Sequence, residues 1–567
     1  MAQTKKPTPT PAAEPSFFDR HADLLAYAIV ALTAIMALLL FSVRMNEGGD
    51  DSSYICKAAD FVERGRYPNF QGPLYPIFLS IVIFLGGGIK LIALKMTSLV
   101  LVVCGQLAMW RALRSEVSKP LLLSALLLMA CNLWFVQFGS LTYSEPLFLV
   151  VAWAFVYVVL RLDAEEGELR RVILWAAVAG LVVVLAYLVR TVGLGLGLTG
   201  LVFLLVRRRW IKAASFAGAM VVFMLLWSGV KAVAWPEVKA DTHQLQTLLQ
   251  VDPYDPSQGL ETPKGYVKRF LGNSDLYLSK HYVKMIGLRD VESRQTSRAA
   301  TVVLYAIFLW GTYAAFARRN RGVQIVAITC IVMLGMTFCS IQVLWDQYRL
   351  ILPFVAMMHV VLLYALADLV RRVAGGKTRI VMGAVVLLSS LVLFVKEAKT
   401  VDFATLRRNL TSDPLYGYTP DWYNYLTMCR EVGRQLADDK YYVAARKPDM
   451  ARIYAGGKRF HGVYNIPSDD ADELVAILKK NNVTHCIVGS LRRDPAQAGL
   501  GVINTMHRYM SRILQVYPGF LEQVGQVGDT DNEPAALYKI HYEVVNPANR
   551  REPQPEAQPQ EQQQQQH

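Results

Sequence analysis

Charge is scarce in this chain. Only 18% of its 567 residues are Asp, Glu, Lys or Arg, against about 25% in a typical soluble domain. Hydrophobic residues make up 53% and mean hydropathy is +0.28, which argues against a disordered chain and against a soluble enzyme. Cysteine chemistry is also missing. None of the seven cysteines forms a CxxC pair, so neither a zinc ribbon nor a thioredoxin-like motif is supported. Cys104, Cys131, Cys330 and Cys339 fall inside apolar runs, where cysteine is an ordinary small apolar residue. Cys429 and Cys486 lie outside such runs and are a candidate disulfide pair if their surroundings are oxidising. There is no Walker loop and no GxSxG elbow. His243, His281, His461 and His485 lack metal-ligand spacing. Asp529-Thr530-Asp531 sits in a turn-like stretch and reads as a turn, not as a nucleotide-sugar motif.

What is abundant is apolar runs of bilayer length. They lie at 24–43, 90–110, 120–138, 146–162, 172–189, 191–206, 213–234, 299–317, 322–343, 350–369 and 379–396. The expected fold class is therefore a polytopic α-helical membrane protein with about eleven transmembrane helices. The first run lacks a small-residue cleavage site and is expected to stay as a span. The net charge of +14 fits basic cytoplasmic loops. No basic, aromatic-interleaved surface stands out, so no nucleic-acid partner is expected.

Those basic residues alternate from loop to loop. Arg111, Arg114 and Lys119 form one group, followed by Arg207, Arg208, Arg209 and Lys212, then Arg318, Arg319 and Arg321, then Arg371, Arg372, Lys377 and Arg379. The positive-inside rule puts this set and the N-terminus in the cytoplasm. An even number of spans must then precede Arg111. The further run at 73–88, short and ending in three glycines, is therefore read as an amphipathic or re-entrant segment in the outer half of the bilayer. Two large outer loops result, 44–89 and 235–298, the second rich in Tyr254, Tyr266, Tyr277 and Tyr282.

Composition divides the chain into four parts. Residues 1–20 read as a disordered cytoplasmic tail and 21–396 as the membrane domain. Residues 397–546 read as a small extracytoplasmic α/β domain, and 547–567 as a disordered Gln/Pro-rich tail. Helices are expected at 422–436, 470–481 and 504–516. Strands are expected at 441–445, 485–488, 521–527 and 536–541.

Ionisable residues gather at the outer helix ends. Asp50 and Asp51 follow Gly48-Gly49 after the first span. Glu145 opens a span, Arg190 lies between two, and Asp346, Tyr348 and Arg349 precede another. Each has an ordinary structural reading: a snorkelling arginine, a solvated acidic loop, or a carboxylate at a helix N-terminus. Two carboxylate and two guanidinium sites at one membrane depth favour function instead, because charge near a bilayer is costly.

Asp50-Asp51-Ser52-Ser53-Tyr54, Gly65-Arg66-Tyr67-Pro68, Gly72-Pro73-Leu74-Tyr75-Pro76, Ser144-Glu145-Pro146-Leu147 and Tyr348-Arg349 before Pro353 resemble the GT-C glycosyltransferases. Within that superfamily the likeness is to the protein O-mannosyltransferases and aminoarabinose transferases of glycosyltransferase family 39 type, and it covers roughly 24–490. Residues 441–489, with Arg446-Lys447-Pro448, resemble the outer domain of bacterial members. The resemblance implies a GT-C fold in a bacterial plasma (inner) membrane, multi-pass, with a cytoplasmic N-terminus and an extracytoplasmic C-terminus. It implies an inverting transferase that moves one sugar from a polyprenyl-phosphate donor to a glycan, lipid or protein acceptor on the outer face. Asp50, with Asp51 second, is then the candidate base. Glu145 positions the acceptor or helps hold a divalent cation. Arg349, Arg190 and Tyr348 are the donor-phosphate candidates, and Tyr54, Tyr67 and Tyr75 the pocket candidates. The competing class is a transporter of a lipid-linked or envelope precursor. Paired broken helices, internal repeats and mid-bilayer charges would be expected of it, and no convincing repeat is present.

Overall fold

The computed structural model describes residues 17–551 except 70, 239–247, 253–257, 289–294, 343–344, 439, 493–501 and 530–532. Tyr254, His243, and the Thr530 and Asp531 of the turn-like Asp529 stretch lie outside the described residues. The chain divides into two units. One comprises 1–41, 61–82 and 92–402; the other comprises 42–60, 83–91 and 403–567.

The first unit holds the apolar helices. Its elements are Ala22–Leu39 (α1), Leu91–Leu113 (α4), Lys119–Ala130 (α5), Leu133–Val136 (α6), Glu145–Ala164 (α7), Leu169–Val189 (α8), Leu194–Val206 (α9) and Trp210–Ala234 (α10). It continues with Pro263–Leu276 (α11), Arg298–Ala317 (α12), Arg321–Ser340 (α13), Leu352–Ala374 (α14) and Thr378–Lys399 (α15). Asp50–Arg64 (α2) and Leu74–Leu85 (α3) run across the division between the units. This is a multi-pass membrane protein. Among the described residues eight helices are long and apolar enough to cross a membrane. A ninth is the pair at Lys119–Ala130 and Leu133–Gly139, if that 71° break lies within one span. Leu352–Lys399 counts as one in that tally but runs 48 residues, far more than the roughly 20 a bilayer needs. It is interrupted by a 3₁₀ turn at Gly375–Lys377, with Gly375 at φ +53°. Taking its halves separately, and adding the bent pair and the shorter Thr191–Val206, each of the eleven expected runs has a helix. Leu74–Leu85 has only 12 residues. At about 1.5 Å per residue it falls short of a hydrocarbon core of about 30 Å.

Two breaks in these helices place charged and polar side chains at helix ends. The first is at Asn132, whose backbone is extended and whose Nδ2 donates to Met285 O at 3.0 Å. It redirects the chain through Gln137–Ser144 into α7. The second is at Arg190, extended between α8 and a 3₁₀ turn at Thr191–Gly193. Gly72 packs against the end of α8. A Cβ there would lie 2.6 Å from Val189 O, so the Gly-Pro pair of the 65–76 segment is a close-approach site beside Arg190. Gly195 and Gly200 in α9 do the same for Met333, Met336 and Phe216, which makes their spacing a packing feature of a membrane helix.

In the second unit the strands are Tyr442–Ala445 (β1), Phe460–Gly462 (β2), Val483–Gly489 (β3), Leu491–Arg492 (β4), Val502–Ile503 (β5), Leu521–Val527 (β6) and Ala535–Ile540 (β7). The main sheet has the order β2-β1-β3-β7-β6. β1 pairs in parallel with β2 and β3, whereas β7 pairs antiparallel with β3 and β6. The helices of this unit are Phe403–Thr411 (α16), Pro420–Gln435 (α17), Pro448–Tyr454 (α18), Ala471–Lys480 (α19) and Thr505–Val516 (α20). One face packs Leu474, Leu478, Cys486, Met510, Ile513 and Phe520 into a core. This is a small α/β domain, as its alternating pattern indicated. The short β2 and α18 were not expected, because three to seven residues carry too little periodicity to read. Cys429 and Cys486 are both buried and free, so the candidate disulfide is not formed and each thiol is a core residue. Phe17–Arg20 forms a short helix and Pro547–Asn549 a 3₁₀ turn, in stretches the sequence assigned to disordered tails.

Candidate functional site

Glu145 starts α7 and Arg190 ends α8. A helix N-terminus favours an anion and a C-terminus a cation, so both dipoles support the charges placed on them. The two side chains meet: Arg190 Nη1 lies 2.8 Å from Glu145 Oε1, and the same nitrogen donates to Ser144 Oγ at 3.0 Å. Glu145 is 2% exposed and Arg190 15%. The other carboxylate oxygen, Glu145 Oε2, is buried without a hydrogen-bond partner among the described residues.

Arg349 and Tyr348 join the same cluster. They occupy a 3₁₀ turn, Tyr348–Leu350, immediately before α14. The Arg349 guanidinium stacks over the Tyr143 ring at 5.1 Å and donates from Nε to Gln347 Oε1 at 2.8 Å. Tyr348 accepts from Gln137 Nε2 and lies edge-on to Phe138 at 6.3 Å. Burial pushes its hydroxyl well above the usual tyrosine range, a shift that Arg349 opposes and Glu145 adds to. The cluster can therefore present a guanidinium, an aromatic face and a neutral phenol beside a neutralised carboxylate.

Sequence reasoning missed several neighbours. Lys95, fully buried in α4, donates to Ser140 O at 2.7 Å. A lone lysine inside an apolar run was the available signal. Tyr277–Tyr282 is a π-helical turn, a form frequent at functional sites. It carries two partners of Asp346: Lys280 Nζ at 2.5 Å and His281 Nε2 at 2.7 Å. Burial would raise the Asp346 carboxyl, but its bonds to His281 and Lys280 hold it down to about 2. Burial also lowers His281. Asp346 thereby tethers the strand of chain that leads into Tyr348 and Arg349. No sequence spacing links residues 65 and 66 positions apart, so nothing local could have pointed to this lattice.

The acidic pair belongs to the second unit. Gly49 adopts φ +92°, which only glycine tolerates freely, and the chain turns there into α2. Asp51 is fully buried; its Oδ2 accepts from Asn46 N at 2.8 Å and its Oδ1 from Ser52 N at 2.7 Å. Asp50, the first residue of the helix, is half-buried. Tyr54 is fully buried in the same helix, and Tyr75 is fully buried in α3. Tyr67 is half-buried, its ring 5.3 Å from Trp235 and 5.0 Å from Lys231 Nζ. Trp235 in turn donates to Gly65 O at 2.7 Å. Among the described residues no group of three or more His, Cys, Asp or Glu is arranged to hold a metal ion.

No protein-family model and no curated protein matches the sequence. Solved structures do match in shape. ArnT from Cupriavidus metallidurans, bound to undecaprenyl phosphate, aligns over 92% of this chain and 99% of its own with a TM-score of 0.55 at 12% identity. The chain has the GT-C fold. The archaeal oligosaccharyltransferase AglB from Archaeoglobus fulgidus, in complex with an inhibitory peptide and a dolichol-phosphate, aligns over 84% of this chain and 70% of its own. Its TM-score is 0.51 at 13% identity. The apo state of the same ArnT aligns over 93% of this chain and 99% of its own, with a TM-score of 0.53 at 12% identity. At such identities the likeness is one of fold. It agrees with the GT-C architecture implied by the acidic and Tyr-Pro motifs.

Proposed function

We propose that the protein is an inverting glycosyltransferase that takes one sugar from a polyprenyl-phosphate donor and delivers it to an acceptor on the outer face of the membrane. The observation that carries this reading is the cluster at Glu145, Arg190, Tyr348 and Arg349. It gathers cations and aromatics at helix ends, in a fold whose solved examples hold undecaprenyl phosphate and dolichol-phosphate. The leaving group would be a phosphate ester, which needs positive charge more than a general acid. Arg349 supplies that charge from the 3₁₀ turn before α14, with Arg190 and Glu145 beside it in the cluster. The acceptor hydroxyl needs a base. Asp50 fills that role better than Asp51, whose two oxygens are both taken by backbone amides. Glu145 positions the acceptor. Residues 21–396 form the catalytic membrane part and 397–546 the outer domain, in the inner membrane of a bacterium.

The direct test is transfer by membranes supplied with a panel of radiolabelled polyprenyl-phosphate sugars. One donor should label an endogenous acceptor; no labelling from any donor would overturn the reading. Arg349→Ala should weaken donor use by about 10-fold or more, the scale of one lost charge-assisted contact. Arg349→Lys should recover only part, because a planar two-pronged contact is lost. Unchanged donor affinity in Arg349→Ala would remove the assignment. Sidedness has its own check. A cysteine introduced at Ser115 in a Cys-free background should resist membrane-impermeant reagents in intact cells, and labelling there would reverse the proposed topology.

A further inference from the structure

The acidic segment and the α/β domain lie in one compact unit, and a short stretch of the domain grips the segment along its length. α18, the residues flanking it and Tyr418 supply the contacts. Asp449 accepts from Ser53 Oγ at 2.5 Å and, through its carbonyl, from Cys56 Sγ at 3.4 Å. Arg452 Nη1 lies 2.9 Å from Asp60 Oδ1, and Arg459 Nη2 lies 3.2 Å from the same oxygen. Tyr418 donates to Met45 O at 2.7 Å, and Tyr454 accepts from Met45 N at 3.2 Å. These contacts fix the two flanks of the turn.

The turn itself is held by one side chain. Lys447 Nζ donates to Glu47 O at 2.8 Å and to Gly48 O at 3.0 Å. Its stem runs beside Gly49, where an added Cβ would sit 3.5 Å from Nζ, and its ammonium lies 5.8 Å from the centre of the Trp422 ring. The backbone N–H of Lys447 donates to Tyr425 Oη at 3.1 Å, so the lysine is held at its base as well as its tip. Burial pushes the Lys447 ammonium down to about 8, with Arg446 adding to the shift and Asp50, Asp51 and Glu47 pulling against it. The charge therefore acts on both carboxylates while its hydrogen bonds go to the two carbonyls that precede Gly49.

We infer that Lys447 is a positioning residue for the acidic turn: by holding the Glu47 and Gly48 carbonyls it sets the direction of the Asp50 carboxylate. The inference rests on the reading of Asp50 as the base. It makes the outer domain a structural support of the candidate base, beyond any role in acceptor capture. A buried ammonium on two backbone carbonyls is a specific clamp, since each bond is charge-assisted and glycine-rich backbone otherwise has wide freedom.

The test uses the full-length chain in membranes or detergent. Lys447→Met keeps the stem and removes the ammonium. It should lower kcat by up to about 10²-fold, the scale of a misplaced catalytic group, while leaving the KM for donor within about twofold, because the donor-phosphate cluster is untouched. Lys447→Arg, which restores a cation that can reach the carbonyls, should recover most of kcat. Thermal unfolding of each variant is measured alongside. Wild-type kcat in Lys447→Met overturns the inference. So does an equal loss in both variants that tracks a fall in unfolding temperature, which would make Lys447 a fold-stabilising contact only. Asp50→Asn is run in parallel. If it is inactive while Lys447→Met is fully active, only this inference fails. If Asp50→Asn retains full activity, the reading of the base fails, and the inference falls with it.

Discussion

Asp50→Asn should fold, insert and bind donor, yet lose about 10²–10⁴-fold in transfer rate, the usual cost of removing a general base. The change is nearly isosteric and removes only the proton acceptor. Asp50 begins α2 and is half-buried, so the amide can be accommodated. Asp51→Asn is a different experiment. Asp51 is fully buried, with its oxygens on Asn46 N and Ser52 N. An amide can keep only one of those acceptors and turns an NH₂ toward a backbone donor, so the variant should lose stability of about 1–3 kcal/mol. The two variants should therefore separate, one in kcat with normal unfolding and the other in unfolding temperature. Full activity in Asp50→Asn, with Asp51→Asn stable but inactive, would exchange the two roles.

Arg190→Ala should destabilise the protein strongly. Removing one partner of a buried ion pair leaves the other charge uncompensated, at a cost of about 3–5 kcal/mol. Here the stranded group is Glu145, already 2% exposed and with one oxygen lacking a partner among the described residues. A neutral replacement of both groups removes the stranded charge. The double variant Arg190→Ala with Glu145→Gln should therefore regain much of the lost stability, and a double-mutant cycle on unfolding measures the coupling. Donor affinity is the second readout. If Arg349 carries the phosphate, the stable double variant keeps donor affinity while transfer falls through the loss of Glu145. If donor affinity collapses with Arg190 absent, the phosphate role moves to Arg190. An additive cycle would show that the pair does not couple at all.

Much of the fold was legible because its signals are local. A run of about 20 apolar residues has one solution in a bilayer, and each expected run has a helix. The strands and helices of 420–540 also came out close to their expected ends. Ala471–Lys480 and Thr505–Val516 show why, since each is a strongly amphipathic helix facing one core. The turn at Gly375–Lys377 falls in the basic loop expected between two runs. The 71° break after Ala130 lies inside the run 120–138, where apolar residues do not announce it.

The candidate site divides along the same line. The glycine turn, the two aspartates, Glu145, Arg190 and Tyr348-Arg349 stood out because charge at a helix end beside a membrane is expensive. Sequence by itself thus determined the fold class and which residues bear charge at the helix ends. It could not determine their partners. That Arg190 closes on Glu145, that Tyr143 underlies Arg349, that Lys280 and His281 hold Asp346, and that Lys447 clamps a turn 399 or 400 residues away was decided by tertiary structure. The physical reason is range. Hydrophobic length and periodicity act over one helix and are written in consecutive residues. Ion pairs and hydrogen bonds act over about 3 Å of space, which chain order does not encode until the helices have packed.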